Sequence, residues 1–185
     1  MAQAEKQTQL SEALDIYQVG LAMDGDSRAF DLLYRRWHPK LLKLAYRLMG
    51  NPDEARDVMQ ETALVIARDI HKLRDPARFS AWAYTILRRR AADHIHRAVK
   101  HRKAAAEQVS VTANHDAEDA MTLRQALLQL AETDRLMLTL FYVDGLKGTE
   151  IAAALGVPIG TVKSRLFTAR KNLKDIYNMT EGDSP

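Results

Sequence analysis

Cysteine is absent from the 185 residues, which excludes disulfides, thiolate zinc sites and thiol redox sensing within the chain and fits a reducing cytosol. Proline and glycine are scarce, at 5 and 8 residues, so few points force a helix to stop. No run of alternating β-branched residues extends beyond a few positions, and no sheet is expected. Nowhere do eighteen apolar residues follow one another, and the opening MAQAEKQTQLSEA lacks the apolar centre of a signal peptide. A soluble chain that stays inside the cell is therefore expected, with no insertion into a membrane. What is abundant is Leu, Ala, Arg and Glu, and the expected fold class is all-α. The net charge of +3 says less than where the charge lies.

Helical periodicity predicts a first helix over about Ser11 to Met23, broken by Asp24-Gly25-Asp26. A second apolar-periodic segment carries Phe30, Leu33, Tyr34, Trp37, Leu41, Leu44 and Leu48, with a possible kink at Pro39, and stops at Gly50-Asn51-Pro52. Helical spacing resumes from Asp53 to Ile70, with acidic residues in its first turn where the helix dipole favours them. A polar loop at His71 to Arg78 leads to a long helix beginning near Phe79 or Ser80. Residues 104–120 contain no Lys or Arg and carry Glu107, Asp116, Glu118 and Asp119, the composition of a flexible acidic linker. The domain plan is thus two small helical bundles, 11–103 and 121–178, joined by that linker. The terminal TEGDSP is read as disordered.

The most informative stretch is LKGTEIAAALGVPIGTVKSRLFTARKNL, from Leu146 to Leu173. A short helix can bury Ile151 and Leu155, Gly156 suits the left-handed position that closes a helix, and Pro158 suits the first turn of the next. In the second helix Val162, Leu166, Ala169 and Leu173 form the apolar stripe, which leaves Lys163, Ser164, Phe167, Arg170 and Lys171 on or near the outer face. That is a helix-turn-helix with a basic second helix suited to the major groove.

Between Asp75 and Lys103 the basic residues Arg78, Arg88, Arg89, Arg90, Arg97, Lys100, Arg102 and Lys103 face only Asp75 and Asp93. Such a stripe is in general a solvated helix surface. Here it follows Phe79, Trp82 and Tyr84, so it also has the ingredients for gripping phosphates and stacking on bases. Trp82 shares a stripe with Ile86, which favours the core. His94, His96 and His101 invite a metal, but His94 and His96 point apart on a helix, and neither a metal nor another cofactor is expected.

Together the two halves resemble the sigma-70 family of bacterial transcription initiation factors, in its two-domain extracytoplasmic-function group. The resemblance rests on FDLLYRRWHPKLLKLAYRLMGNPDEARDVMQETAL, RFSAWAYTILRRRAADHIHR, the acidic connector, and LAETDRLMLTLFYVDGLKGTEIAAALGVPIGTVKSRLFTARKNL. It covers about Asp26 to Lys174 and is most specific at GTVKSRL. It implies a non-enzymatic factor with a sigma-2-like and a sigma-4-like domain. Implied partners are core RNA polymerase, through its largest-subunit clamp helices and its flap region, promoter DNA, and an anti-sigma protein that could hold the factor at the membrane. When active, the factor would be cytoplasmic and nucleoid-associated.

Residue by residue, the resemblance implies polymerase contact through Asp53, Asp57, Gln60 and Glu61. It implies capture of the −10 element by the loop Lys72 to Phe79, with Arg74 and Arg78, and by Arg88, Arg89, Arg90 and Arg97. For the −35 element it implies Lys163, Ser164 and Phe167, with Arg165, Thr168, Arg170 and Lys171 beside them. A linker of about sixteen residues reaches ~55 Å, comparable to a spacer of about sixteen base pairs.

Departures from the family pattern are Arg89 in place of an Asn, Thr168 in place of an Arg, and Lys147 where a Ser commonly caps a helix. The last should cost about 1 kcal/mol of local stability. Two rival readings are a sigma-like decoy that binds only an anti-sigma protein, and a polymerase-independent helix-turn-helix regulator. The second lacks a recognisable dimerisation helix.

Overall fold

The computed structural model describes residues 2–104 and 126–181, and all regular structure among them is helical. From residue 105 onward the predicted linker lies outside the described residues, as do 121–125 and the end of the tail. The chain divides into two compact units, Met1–Ala105 and Ala106–Pro185.

In the first unit, α1 (Ala2–Met23) precedes α2 (Ser27–Met49), α3 (Pro52–Asp69) and α4 (Phe79–Ala104), with 3-10 turns at Ile70–Lys72 and Pro76–Arg78. Each boundary has a chemical cause. Asp26 caps α2 by accepting hydrogen bonds from the Arg28 and Ala29 N–H groups at 2.8 and 3.1 Å. Gly50 closes the same helix at φ 68°, its N–H donating to the Tyr46 carbonyl. Asn51 caps α3 through the Asp53 and Glu54 N–H groups. One residue later, Pro52 stands where a missing N–H costs nothing.

The helix α1 starts well before the Ser11 predicted from periodicity. Its first turns offer no apolar rhythm, only residues of good helix propensity such as Ala, Glu, Lys and Gln. From Ser11 onward it is tied to α2: Arg36 donates to the Ser11 hydroxyl at 2.8 Å and pairs with Asp15 at 2.9 Å. Pro39 lies inside α2, which continues through it as one helix.

The first core is built from Leu33, Trp37, Leu41, Leu44, Val58, Met59, Ile66, Tyr84 and Leu87. Trp37 meets Phe79 and Tyr84 edge-on, with ring centroids 5.4 and 5.9 Å apart. Thr62, fully buried, returns its hydroxyl proton to the Val58 carbonyl at 2.7 Å, so its own hydroxyl is satisfied.

In the second unit a helical turn at 126–129 leads to α5 (Glu132–Leu138), a wide π-turn at Thr139–Val143, α6 (Gly148–Leu155) and α7 (Ile159–Glu181). Met137, Leu138, Leu140, Leu146, Ile151, Ala154, Val162, Leu166 and Ala169 are its buried core. Gly156 has φ 70°, the left-handed conformation anticipated for it. Pro158 sits just before α7, its carbonyl accepting the Val162 N–H at 3.1 Å. Gly148 lies close to the start of α7: a Cβ there would sit 3.1 Å from Ile159 Cδ1, so that side-chain tip would have to move by a few tenths of an ångström.

Candidate nucleic-acid and protein interfaces

On α7 the structure separates the two faces as the periodicity predicts. Val162, Leu166 and Ala169 are buried and Leu173, the last of the predicted stripe, is half-buried, while Lys163, Ser164, Arg165, Phe167, Thr168, Arg170 and Lys171 are exposed. Phe167 is 71% exposed, a large apolar ring left in water on an otherwise basic face. The Ser164 and Thr168 hydroxyls donate back to the Thr161 and Ser164 carbonyls, each at 3.1 Å, and keep their lone pairs for an incoming donor. Arg170 differs from its neighbours. Its guanidinium lies 5.3 and 5.4 Å from the Phe141 and Tyr142 ring centroids, which ties it to the π-turn.

Lys147 has no side-chain lone pair with which to cap α6 while charged. The opposite half of a capping box is present instead: the Lys147 N–H donates to Glu150 Oε2 at 2.8 Å. The expected local cost is thereby offset in part.

The acidic residues predicted on α3 do not form one uniform face. Asp53 is exposed and receives Arg56 Nη1 at 2.6 Å, while Asp57 and Gln60 are exposed. Glu61 turns toward α4, where Arg97 Nη2 donates to both its carboxylate oxygens at 2.9 and 3.2 Å. This carboxylate raises the Arg97 pKa above its ordinary value. Sequence reading missed an apolar groove of about 470 Å³ between α2 and α3, lined by Phe30, Tyr34, His38, Leu42, Met59, Gln60 and Leu64. The exposed Leu64 was its one available signal.

At the loop before α4, Asp69 gathers the charge. Arg68 and Lys72 donate to it at 2.7 and 2.6 Å, and these hydrogen bonds hold its carboxyl well below the usual range. Arg78 pairs with Asp75 at 3.4 Å, and Arg74 is exposed. A cleft of about 290 Å³ opens between α3 and α4, lined by Val65, Arg68, Asp69, Lys72, Trp82, Ile86, Arg89 and Arg90. Arg89 is exposed, and Arg88 and Arg90 are half-buried, with Arg90 3.5 Å from Asp93.

Two aromatic expectations are corrected. Phe79, predicted at the −10 surface, is 3% exposed and packs on Trp37, and Tyr84 is 1% exposed. Neither ring presents a face to a base. Trp82, expected in the core, is half-buried and lines the cleft beside Arg89. The side chains of Lys100, His101, Arg102 and Lys103 lie outside the described residues.

The family model for sigma-70 region 2 matches residues 33–101, and that for sigma-70 region 4 matches residues 120–173. The chain is 32% identical over 181 residues to the RNA polymerase sigma-H factor of Pseudomonas aeruginosa, covering 88% of this chain and 93% of that one. It is 34% identical over 151 residues to the ECF RNA polymerase sigma factor SigM of Mycobacterium tuberculosis, covering 80% and 77%. Among solved structures, RpoE of Bartonella quintana, in complex with the anti-sigma factor NepR, matches with TM-score 0.58 and 25% identity over 80% of this chain and 96% of that one. CnrH, in complex with the cytosolic domain of CnrY, matches in fold with TM-score 0.59 and 23% identity over 92% and 99%.

Proposed function

The chain belongs to the sigma-70 family, within its extracytoplasmic-function group, and acts in transcription initiation; on that premise we propose how its surfaces divide the work. The face of α3 carrying Asp53, Asp57 and Gln60, with the apolar groove beside it, receives the clamp helices of the largest polymerase subunit. Acidic groups around an apolar strip suit a basic amphipathic helix. The cleft between α3 and α4, with Lys72, Arg74, Arg78, Trp82 and Arg89 at or near it, takes the displaced strand of the −10 element.

Opening about ten base pairs costs about 14 kcal/mol, whereas each captured base returns about 1 to 3 kcal/mol. A chain of this size cannot hold a bubble alone. It acts within the polymerase, selecting and trapping an open state rather than prising the duplex apart.

The helix α7 reads the −35 element from the major groove. Its Lys163, Arg165 and Lys171 meet phosphates and guanine edges, and Phe167 meets a thymine methyl. The observation that carries the reading is the division of this one helix into a buried stripe and an exposed basic face centred on Phe167. A second groove of about 360 Å³, lined by Leu138, Tyr142, Leu173 and Tyr177, is the proposed seat of the polymerase flap. An anti-sigma protein is the proposed regulator, consistent with the complex in which RpoE was solved. No helix among the described residues is long and apolar enough to cross a membrane, so membrane retention would depend on that partner.

Run-off transcription with bacterial core polymerase, from the promoter upstream of the chain's own gene, tests the reading. Core alone should be silent and the mixture should start at one defined site. Tight duplex binding without polymerase favours the operator-binding alternative, and an unresponsive core with normally folded protein favours the decoy.

A further inference from the structure

The residues predicted for two different partners meet in the structure. The resemblance assigns Glu61 to polymerase and Arg97 to the −10 strand; the structure turns Glu61 from the α3 face of Asp53, Asp57 and Gln60 to its edge beside α4, one residue from Gln60. Although 36 positions apart, they form a hydrogen-bonded ion pair in which one guanidinium nitrogen, Nη2, is shared between the two carboxylate oxygens. Arg97 Nε also reaches the Asp93 carbonyl at 3.4 Å. The pair lies in an open groove shared with Arg68, Arg90, Asp93 and His96, so both side chains remain within reach of an outside partner.

Two consequences follow from charge. A phosphate approaching Arg97 meets the Glu61 carboxylate beside it and is repelled. A cationic group approaching Glu61 competes with Arg97 for the same two oxygens. Each partner's binding therefore favours release of the group the other needs, which is a positive coupling between separate ligands.

We propose that the Glu61–Arg97 pair is an autoinhibitory latch: closed in the free chain, it withholds Arg97 from a single-stranded nucleic-acid backbone, and cationic groups of the polymerase open it by engaging Glu61. The latch rests on the assignment of α3 to polymerase and α4 to the −10 strand. It makes the free factor a poorer strand binder than its charge allows, while the assembled enzyme gains a phosphate contact at the moment of assembly. The pair is half-exposed, so its effect is a bias of a fewfold and not an all-or-none gate.

The test is fluorescence anisotropy with a labelled single-stranded oligonucleotide carrying the non-template −10 region of the same promoter. It is run with the full chain alone and with the chain saturated by core polymerase. In the free chain, Glu61→Gln should tighten binding about threefold and steepen the logarithmic salt slope by about 0.7, the increment for one further phosphate contact. Adding Arg97→Gln should abolish that gain. In the polymerase complex, Arg97→Gln alone should weaken binding about threefold or more, and thermal melting verifies that each variant folds. Glu61→Asp, which keeps the charge on a shorter stem, should give a smaller gain than Glu61→Gln. A free-chain affinity that does not respond to Glu61→Gln, or a gain that the double variant retains, overturns the latch alone. Failure of the wild-type chain to co-migrate with core overturns the polymerase assignment and the latch with it.

Discussion

Arg170 stands with its guanidinium 5.3 Å from the centroid of Phe141, and this contact anchors the outer side of α7 to the π-turn. Its job differs from that of Lys171, the next residue, which is exposed on the same helix. Arg170→Ala should destabilise the second unit by about 0.5–1 kcal/mol in urea denaturation, the usual worth of an exposed cation–π contact. Lys171→Ala should leave stability unchanged and flatten the logarithmic salt slope of −35 duplex binding by about 0.9.

Phe167 and Leu166 are neighbours on opposite faces, and truncation should separate function from folding. Leu166→Ala should cost about 2–5 kcal/mol of stability. Phe167→Ala should change stability by less than about 0.5 kcal/mol while weakening −35 binding roughly tenfold, with the loss concentrated at one thymine. Binding to a set of singly substituted −35 duplexes checks this.

Phe79→Ala should lower stability by about 3–5 kcal/mol, since its ring fills the core against Trp37. Trp82→Ala should cost less stability yet reduce strand opening more, because Trp82 lines the cleft. Thermal denaturation and the fluorescence of 2-aminopurine placed in the −10 strand give the two readings independently.

Asp69 sets an acid limit. Because Arg68 and Lys72 hold its carboxyl below the usual range, the folded state binds the proton less readily than the unfolded one. Its contribution is complete above the unfolded carboxylate's pKa of about 4 and fades as pH falls from there through the lower folded value. Asp69→Asn should therefore lower Tm at pH 7 and reduce the further fall of Tm between pH 4 and pH 3, followed by circular dichroism.

Gly156→Ala should cost about 1–2 kcal/mol, since a Cβ in the left-handed region meets the following carbonyl. Urea denaturation of the whole chain measures it.

The helix-turn-helix was legible because two strong local signals coincide: a glycine that must turn left-handed, and the four-three spacing of Val162, Leu166 and Ala169. Cross-helix geometry was not. Nothing in a list of acidic residues says that Glu61 faces Arg97 while Asp57 faces solvent, because both obey the spacing of a single α3 stripe and only α4 distinguishes them. Aromatics beside arginines looked like a stacking surface for the same reason. Phe79 and Tyr84 point into the core from a helix whose phase is set by Trp37, a residue on a different helix. The groove between α2 and α3 is not legible in the sequence because Phe30 and Tyr34 fall in the apolar-periodic set of α2, and only the packing of α3 leaves them lining an open space.

The π-turn between Thr139 and Val143 sends the Asp144 N–H back to the Thr139 carbonyl at 3.0 Å, one residue further than an α-helix would. One surplus residue in a turn is a phase shift of roughly 100° for everything on one side of it. That rotation leaves Tyr142 and Val143 outside, 62% and 66% exposed, while Leu140 and Leu146 stay within. The chain thus stores the orientation of a surface in a count of residues: a single deletion here would reassign which side chains face outward and, through Tyr142, the lining of the groove they border.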